Sequence, residues 1–147
     1  MRPDSHAPIL VVEDNIADFT TLSRAFGKHA VPNPLVHCAD GELALDYLAS
    51  HRLGPVRRAL PVLVLLDLNM PGLNGRDVLE VLKGDAVLRV IPVIIFTTSG
   101  NERDLVECYQ LGANSYLIKP LAYGELEQKV GVMARYWLQE AELPSRC

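Results

Sequence analysis

Four apolar runs end in groups that can do chemistry. Glu13-Asp14 closes "PILVVED" (8–14), and Asp67 closes "VLVLLD" (62–67). Thr97-Thr98, with Ser99 behind them, closes "IPVIIFTT" (91–98), and Lys119 closes "NSYLIK" (114–119) ahead of Pro120. Each alone is an ordinary strand end or a solvated lysine. Gathered at one rim, they form a charge problem with few solutions. Two carboxylates 4 Å apart repel by about 4 kcal/mol at an effective dielectric near 20. Glu13, Asp14 and Asp67 together therefore exceed what Lys119 alone relieves. Such a site raises its carboxylate pKa values or holds a hard divalent cation, and Mg²⁺, with oxygen ligands and retained waters, suits it. An acidic pair, a further aspartate, a hydroxyl and a lysine around a cation are suited to moving a phosphoryl group. Asp67 would attack, Mg²⁺ and Lys119 would neutralise charge on the transferring oxygens, and Thr97 would donate a hydrogen bond to one of them.

The elements that must carry these groups alternate along the chain. Strand-like runs at 8–14, 34–40, 62–67, 91–98 and 114–119 are each followed by a segment of helical period. The helices are expected at 15–29 (Ile16, Phe19, Leu22, Phe26 inward), 41–51 (Leu43, Leu45, Tyr47, Leu48), 75–85 (Val78, Leu79, Val81, Leu82), 101–112 and 123–143 (Leu126, Val130, Trp137). Five β/α units in succession predict an α/β fold, doubly wound, with helices on both faces of a mostly parallel sheet. In such sheets function gathers outside the carboxyl ends of the strands, where the charged residues stand.

The 147 residues fit one domain, and a net charge of −4 favours neither nucleic acid nor an anionic membrane. No apolar stretch is long enough to span a bilayer. Asp4 and Pro8 stand where a signal peptide would need its apolar core, so the expected location is cytoplasmic. Cys38, Cys108 and Cys147 lack metal-ligand spacing and read as reduced thiols, and His6, His29, His37 and His51 are equally scattered. Residues 52–61 form a long connection with three arginines.

"VVEDN", "LLDLNMPGLNG", "FTTSG" and "GANSYLIKP", in this order and spacing, resemble the receiver domain of bacterial two-component response regulators over 8–138. The resemblance implies a flavodoxin-like (βα)5 sandwich with a five-stranded parallel sheet in the order 2-1-3-4-5. It also implies a single receiver domain filling 1–147 around a core at about 8–138. Phosphorylation is implied at Asp67, with Mg²⁺ held by Asp14, Asp67 and the Asn69 carbonyl, and with Glu13 acting through water. Thr97 would be the switch hydroxyl, Tyr116 the aromatic that turns inward with it, Lys119 a phosphoryl-binding group, and Lys119-Pro120 a cis peptide. Thr98 departs from the small residue usual after the switch hydroxyl and could narrow access to Asp67. Such a protein is a phosphoacceptor that promotes its own phosphorylation and dephosphorylation, not an enzyme.

The 52–61 loop, "LDLNMPGLNGRDVLEVLK", "RVIPVIIFTTS" and "ARYWL" are similar to the single-domain regulators of bacterial phytochromes, which are light-sensing histidine kinases. The partner implied is a bacteriophytochrome kinase. The chain stops about one helix after Lys119, so output is expected through a protein contact and not an output domain. Val132, Met133 and Tyr136 form a second apolar flank on the last helix. They are the candidate homodimer face, together with helix four, strand five and the tail through Leu143. Two other readings stay open. One is a phosphohydrolase of the haloacid-dehalogenase type, whose Asp-x-Asp hallmark is broken here by Asn69. The other is a receiver-like module that signals without phosphorylation.

Overall fold

Strands buried on both faces read as unbroken apolar runs, and here they are short. The sheet consists of β1 (Ile9–Val12), β2 (Leu35–Cys38), β3 (Leu63–Leu66), β4 (Val93–Thr97) and β5 (Ser115–Ile118), all parallel in the order β2-β1-β3-β4-β5. The helices are α1 (Ile16–Lys28), α2 (Gly41–Leu53), α3 (Gly75–Gly84), α4 (Glu102–Gln110) and α5 (Tyr123–Arg135). The computed structural model describes residues 7–53 and 60–144. Most of the 52–61 loop, together with Cys147, therefore lies outside the described residues.

The period-2 alternation of each strand divides the core into two layers. Leu10, Val12, Val64, Leu66, Val93 and Ile95 face Ala44 and Leu48 of α2, Val78, Leu79 and Leu82 of α3, and Cys108 of α4. Ile9, Val11, Leu63, Leu65, Ile94 and Phe96 face Leu22, Ala25 and Phe26 of α1 and Leu126, Val130, Met133 and Ala134 of α5. Cys38 and Cys108 are free and buried in the first layer. No helix among the described residues is long and apolar enough to cross a membrane.

Several expectations are corrected. Ile16, Leu43 and Val81 are exposed, and the inward faces of their helices are built by their neighbours. Ile16, 71% exposed, opens α1 beyond the strand ends, where no sheet lies beneath it. On α5, Met133 is buried in the second layer, because its place three residues after Val130 puts both on one stripe. Of the proposed dimer flank only Val132 and Tyr136 remain exposed. The last helix does not run evenly to 143. It ends at Arg135 and widens into a π turn, Tyr136–Glu140, closed by the Ala141 amide on the Tyr136 carbonyl at 2.7 Å. The wider turn lets Trp137, Leu138 and Leu143 reach the second layer.

The described residues contain no cis peptide, so Lys119-Pro120 is trans. An X-Pro bond prefers trans by about 0.5–1 kcal/mol unless packing opposes it. Here the strand exit is held by the Lys119 amide on the Thr97 carbonyl at 2.7 Å and by Lys129 Nζ on the Ile118 carbonyl at 2.8 Å.

Candidate functional site

Parallel pairing delivers all five strand ends to one edge of the sheet. The ladder matches Val12 to both Cys38 and Leu66, so Glu13 and Asp67 leave adjacent strands side by side. Their backbones stay tied to the sheet, the Glu13 amide to Cys38 O at 3.0 Å and the Asp67 amide to Val12 O at 3.1 Å. Both side chains are buried, while Asp14 is exposed. Lys119 Nζ bridges them from the end of β5, donating to Glu13 Oε1 and, at 2.9 Å, to Asp67 Oδ2. It also donates to Asp18 Oδ2 at 3.4 Å. Asp18 was not foreseen, although its place one turn after Asp14, on a helix that starts immediately behind it, was a readable signal.

Burial pushes the Glu13 carboxyl up to about 7, overriding the pull of the Lys119 ammonium and the Asn15 amide; the Asp67 charge adds to the rise. Burial also works against the Lys119 charge. Its hydrogen bonds to Glu13 and Asp67, and their charges, outweigh that cost and hold the ammonium above the ordinary lysine value. One cation for two buried carboxylates leaves the floor short of positive charge.

Glu13, Asp14 and Asp67 each offer a carboxylate oxygen, and these oxygens all lie within 4.8 Å of one another. An all-oxygen set with one exposed member fits a hard divalent cation that keeps part of its water shell. The loop behind Asp67 is fixed from both ends. The Asn69 amide donates to Asp67 Oδ1 at 3.3 Å. Asn74 and Asp77 form a capping box that starts α3. Gly75 passes so close that a Cβ there would stand 2.1 Å from the Asp67 carbonyl oxygen.

On the other side of the mouth Thr97 is wholly buried and Thr98 is exposed. The Ser99 amide donates to Thr97 Oγ1 at 3.4 Å, and half-buried Tyr116 donates its hydroxyl to the Ser99 carbonyl at 2.8 Å. Ser99 Oγ donates to Asp104 Oδ2 at 2.6 Å, Arg76 pairs with the other oxygen of Asp104, and Arg76 Nε lies 3.4 Å from Glu107 Oε2. The Ser99 hydroxyl first, and the Arg76 charge with it, hold the Asp104 carboxyl below the usual range despite partial burial. Ser99, Arg76 and Asp104 belong to this rim, and no local pattern joins residues 28 positions apart. A cavity of about 200 Å³ opens beside Lys119, lined by Glu13, Asp18, Pro120, Tyr123 and the fully exposed Leu121.

Residues 9–131 match the family described as the response regulator receiver domain. The probable methanogenesis regulatory protein FilR2 of Methanothrix harundinacea is 43% identical over 130 residues, 88% of this chain and 83% of that protein. Response regulator Rcp1 of Synechocystis is 34% identical over 148 residues, 99% of each. The Mn²⁺-bound structure of Rcp1 aligns with a TM-score of 0.84 over 95% of this chain and 99% of that one. The phosphorylated cyanobacterial phytochrome response regulator RcpA is 39% identical and aligns with a TM-score of 0.87 over 95% and 99% of the two chains.

Proposed function

The chain belongs to the response regulator receiver family, and from that premise we propose that it is a single-domain regulator whose Asp67 accepts a phosphoryl group from a sensor histidine kinase. One observation carries this reading: Asp67, buried at a strand end, meets Lys119 Nζ at 2.9 Å inside an acidic group of three carboxylates. In the transfer an Asp67 oxygen attacks the phosphorus of a phosphohistidine. The P–O bond forms as the P–N bond breaks, the ring nitrogen keeps the electron pair and takes up a proton as the imidazole leaves, and an aspartyl phosphate remains. Asp14, Asp67 and the Asn69 carbonyl would hold Mg²⁺ directly and Glu13 through water, and the bound cation would offset charge on the phosphoryl oxygens. Lys119 holds its proton and supplies the fixed positive charge on the β5 side. Thr97 supplies the hydroxyl, and Tyr116 follows it once the phosphoryl group draws Thr97 inward.

Members of this family are phosphoacceptors, not turnover enzymes. The likeness to the phytochrome response regulator RcpA supports a bacteriophytochrome as the donor kinase, and membership of the receiver family is consistent with the cytoplasm as the location. Exposed Val132 and Tyr136, with α4, β5 and the tail, are the surface for a homodimer. Analytical ultracentrifugation across a concentration series checks it, and a monomer throughout would remove it.

The reading is tested by phosphotransfer in Mg²⁺ from acetyl phosphate and from a phytochrome kinase, followed by mass spectrometry. Wild type is expected to gain one phosphoryl group, and Asp67→Asn none. Absence of transfer to wild type would favour a module that signals without phosphorylation, and phosphate found on another residue of Asp67→Asn would overturn the acceptor assignment.

A further inference from the structure

His37 sits on β2, and the phosphoryl chemistry gives it no task. Its strand pairs it with Val11, and the ladder ends one residue later at Cys38 opposite Val12. Beyond that point β2 turns away, and Asp40 caps α2 by accepting from the Leu43 amide at 2.8 Å. The Glu13 amide still finds Cys38 O, whereas the Glu13 carbonyl has passed the end of the ladder. A backbone carbonyl beside a buried side chain needs a donor. His37 Nε2 supplies it at 2.7 Å, and because a carbonyl only accepts, that nitrogen carries the hydrogen.

The same ring lies flat on Phe19, with centroids 4.0 Å apart and planes 5° from parallel. Phe19 belongs to the first turn of α1, its amide bonded to Asn15 O at 3.0 Å. The imidazole thus spans the exit of β1 and the first turn of α1, and the five residues between its anchors, Glu13 and Phe19, begin with Asp14 and Asn15. Asn15 is itself committed on both sides, its amide donating to Glu13 Oε2 at 3.2 Å and its side chain accepting from the Asp18 amide at 3.0 Å.

We infer that His37 is a positioning residue for the cation site: its bond to the Glu13 carbonyl and its stack on Phe19 fix the Glu13-Asp14 peptide, and with it the direction of the Asp14 carboxylate. The inference rests on the metal reading of Glu13, Asp14 and Asp67 given above. Partners one shell out from a metal commonly govern its affinity by 10–100-fold.

The test is isothermal titration of the full chain with MgCl₂ alone, on wild type, His37→Phe and His37→Gln, with the thermal midpoint of each measured in EDTA. Phenylalanine keeps the stack and loses the donor, and glutamine offers an amide donor at similar reach. His37→Phe is expected to bind Mg²⁺ about tenfold more weakly, and His37→Gln to recover most of that loss. Equal affinity in wild type and His37→Phe would overturn the inference alone. So would an equal loss in both variants that follows their EDTA midpoints, since that is what a purely structural role predicts. Wild type that binds no Mg²⁺ would overturn the metal reading and this inference with it.

Discussion

On the floor of the site two buried carboxylates, Glu13 and Asp67, share one lysine. On the α4 side one half-buried carboxylate, Asp104, is served by both Arg76 and Ser99. The floor buries its excess acid, whereas the rim's carboxylates, Asp104 and the more exposed Glu107, share Arg76 nearer to solvent, so the two answer differently to protons and to cations. Burial raises the Glu13 carboxyl from 4.5 to about 7. Its contribution to stability is therefore complete below the unfolded value and lost as pH rises through about 7. Asp104 is lowered, so its contribution is present above 3.8 and lost as pH falls through its folded value. A region left short of counter-charge is built to receive something. The rim keeps Asp104 paired with Arg76 and Ser99, although Arg76 Nε is buried without a hydrogen-bond partner.

The largest effect that would sharpen this contrast comes from the backbone contact beneath the floor. Gly75→Ala drives a Cβ into the Asp67 carbonyl and the Leu68 Cα, and is expected to cost about 3 kcal/mol in urea denaturation, at the upper end for overpacking. Gly84→Ala in the same helix meets nothing within 4 Å and should cost nothing. Equal losses at the two positions would show that the loop behind Asp67 is less tightly held than its geometry states.

A smaller effect separates floor from rim by pH. In EDTA the thermal midpoint should fall between pH 5 and 8 as Glu13 ionises, by about 2–4 °C per kcal/mol for a chain of this size. Saturating Mg²⁺ should flatten that fall, and Glu13→Gln should remove it. A midpoint that falls just as steeply in Glu13→Gln would break the assignment of the floor's pH response.

The smallest effect lies on the rim. Arg76→Ala should lower stability by about 0.5–1 kcal/mol, as expected of a partly exposed ion pair, and by the same amount in Mg²⁺ and in EDTA. A Mg²⁺-dependent loss would show that rim and floor are one electrostatic unit.

How much of this was legible in the sequence follows from what each residue depends on. Asp67, Glu13 and Lys119 could be placed because each ends an apolar run, and parallel strands send all their ends to one edge. Met133 was assigned to the wrong flank and Ile16 to the core, because a periodic stripe does not say where the sheet beneath it stops. The trans Lys119-Pro120 bond and the π turn after Arg135 depend on backbone bonds to other elements, which no local pattern encodes. The sequence by itself determined the βα alternation, the two-layer core and the charged groups at the strand ends, because hydrophobic period and charge position are properties of neighbouring residues. Only the tertiary structure decided that Asp18 joins Lys119, that Arg76 reaches Asp104, and that His37 closes on the Glu13 carbonyl. Those contacts join elements far apart in the chain, and their geometry is set by how helices and strands pack.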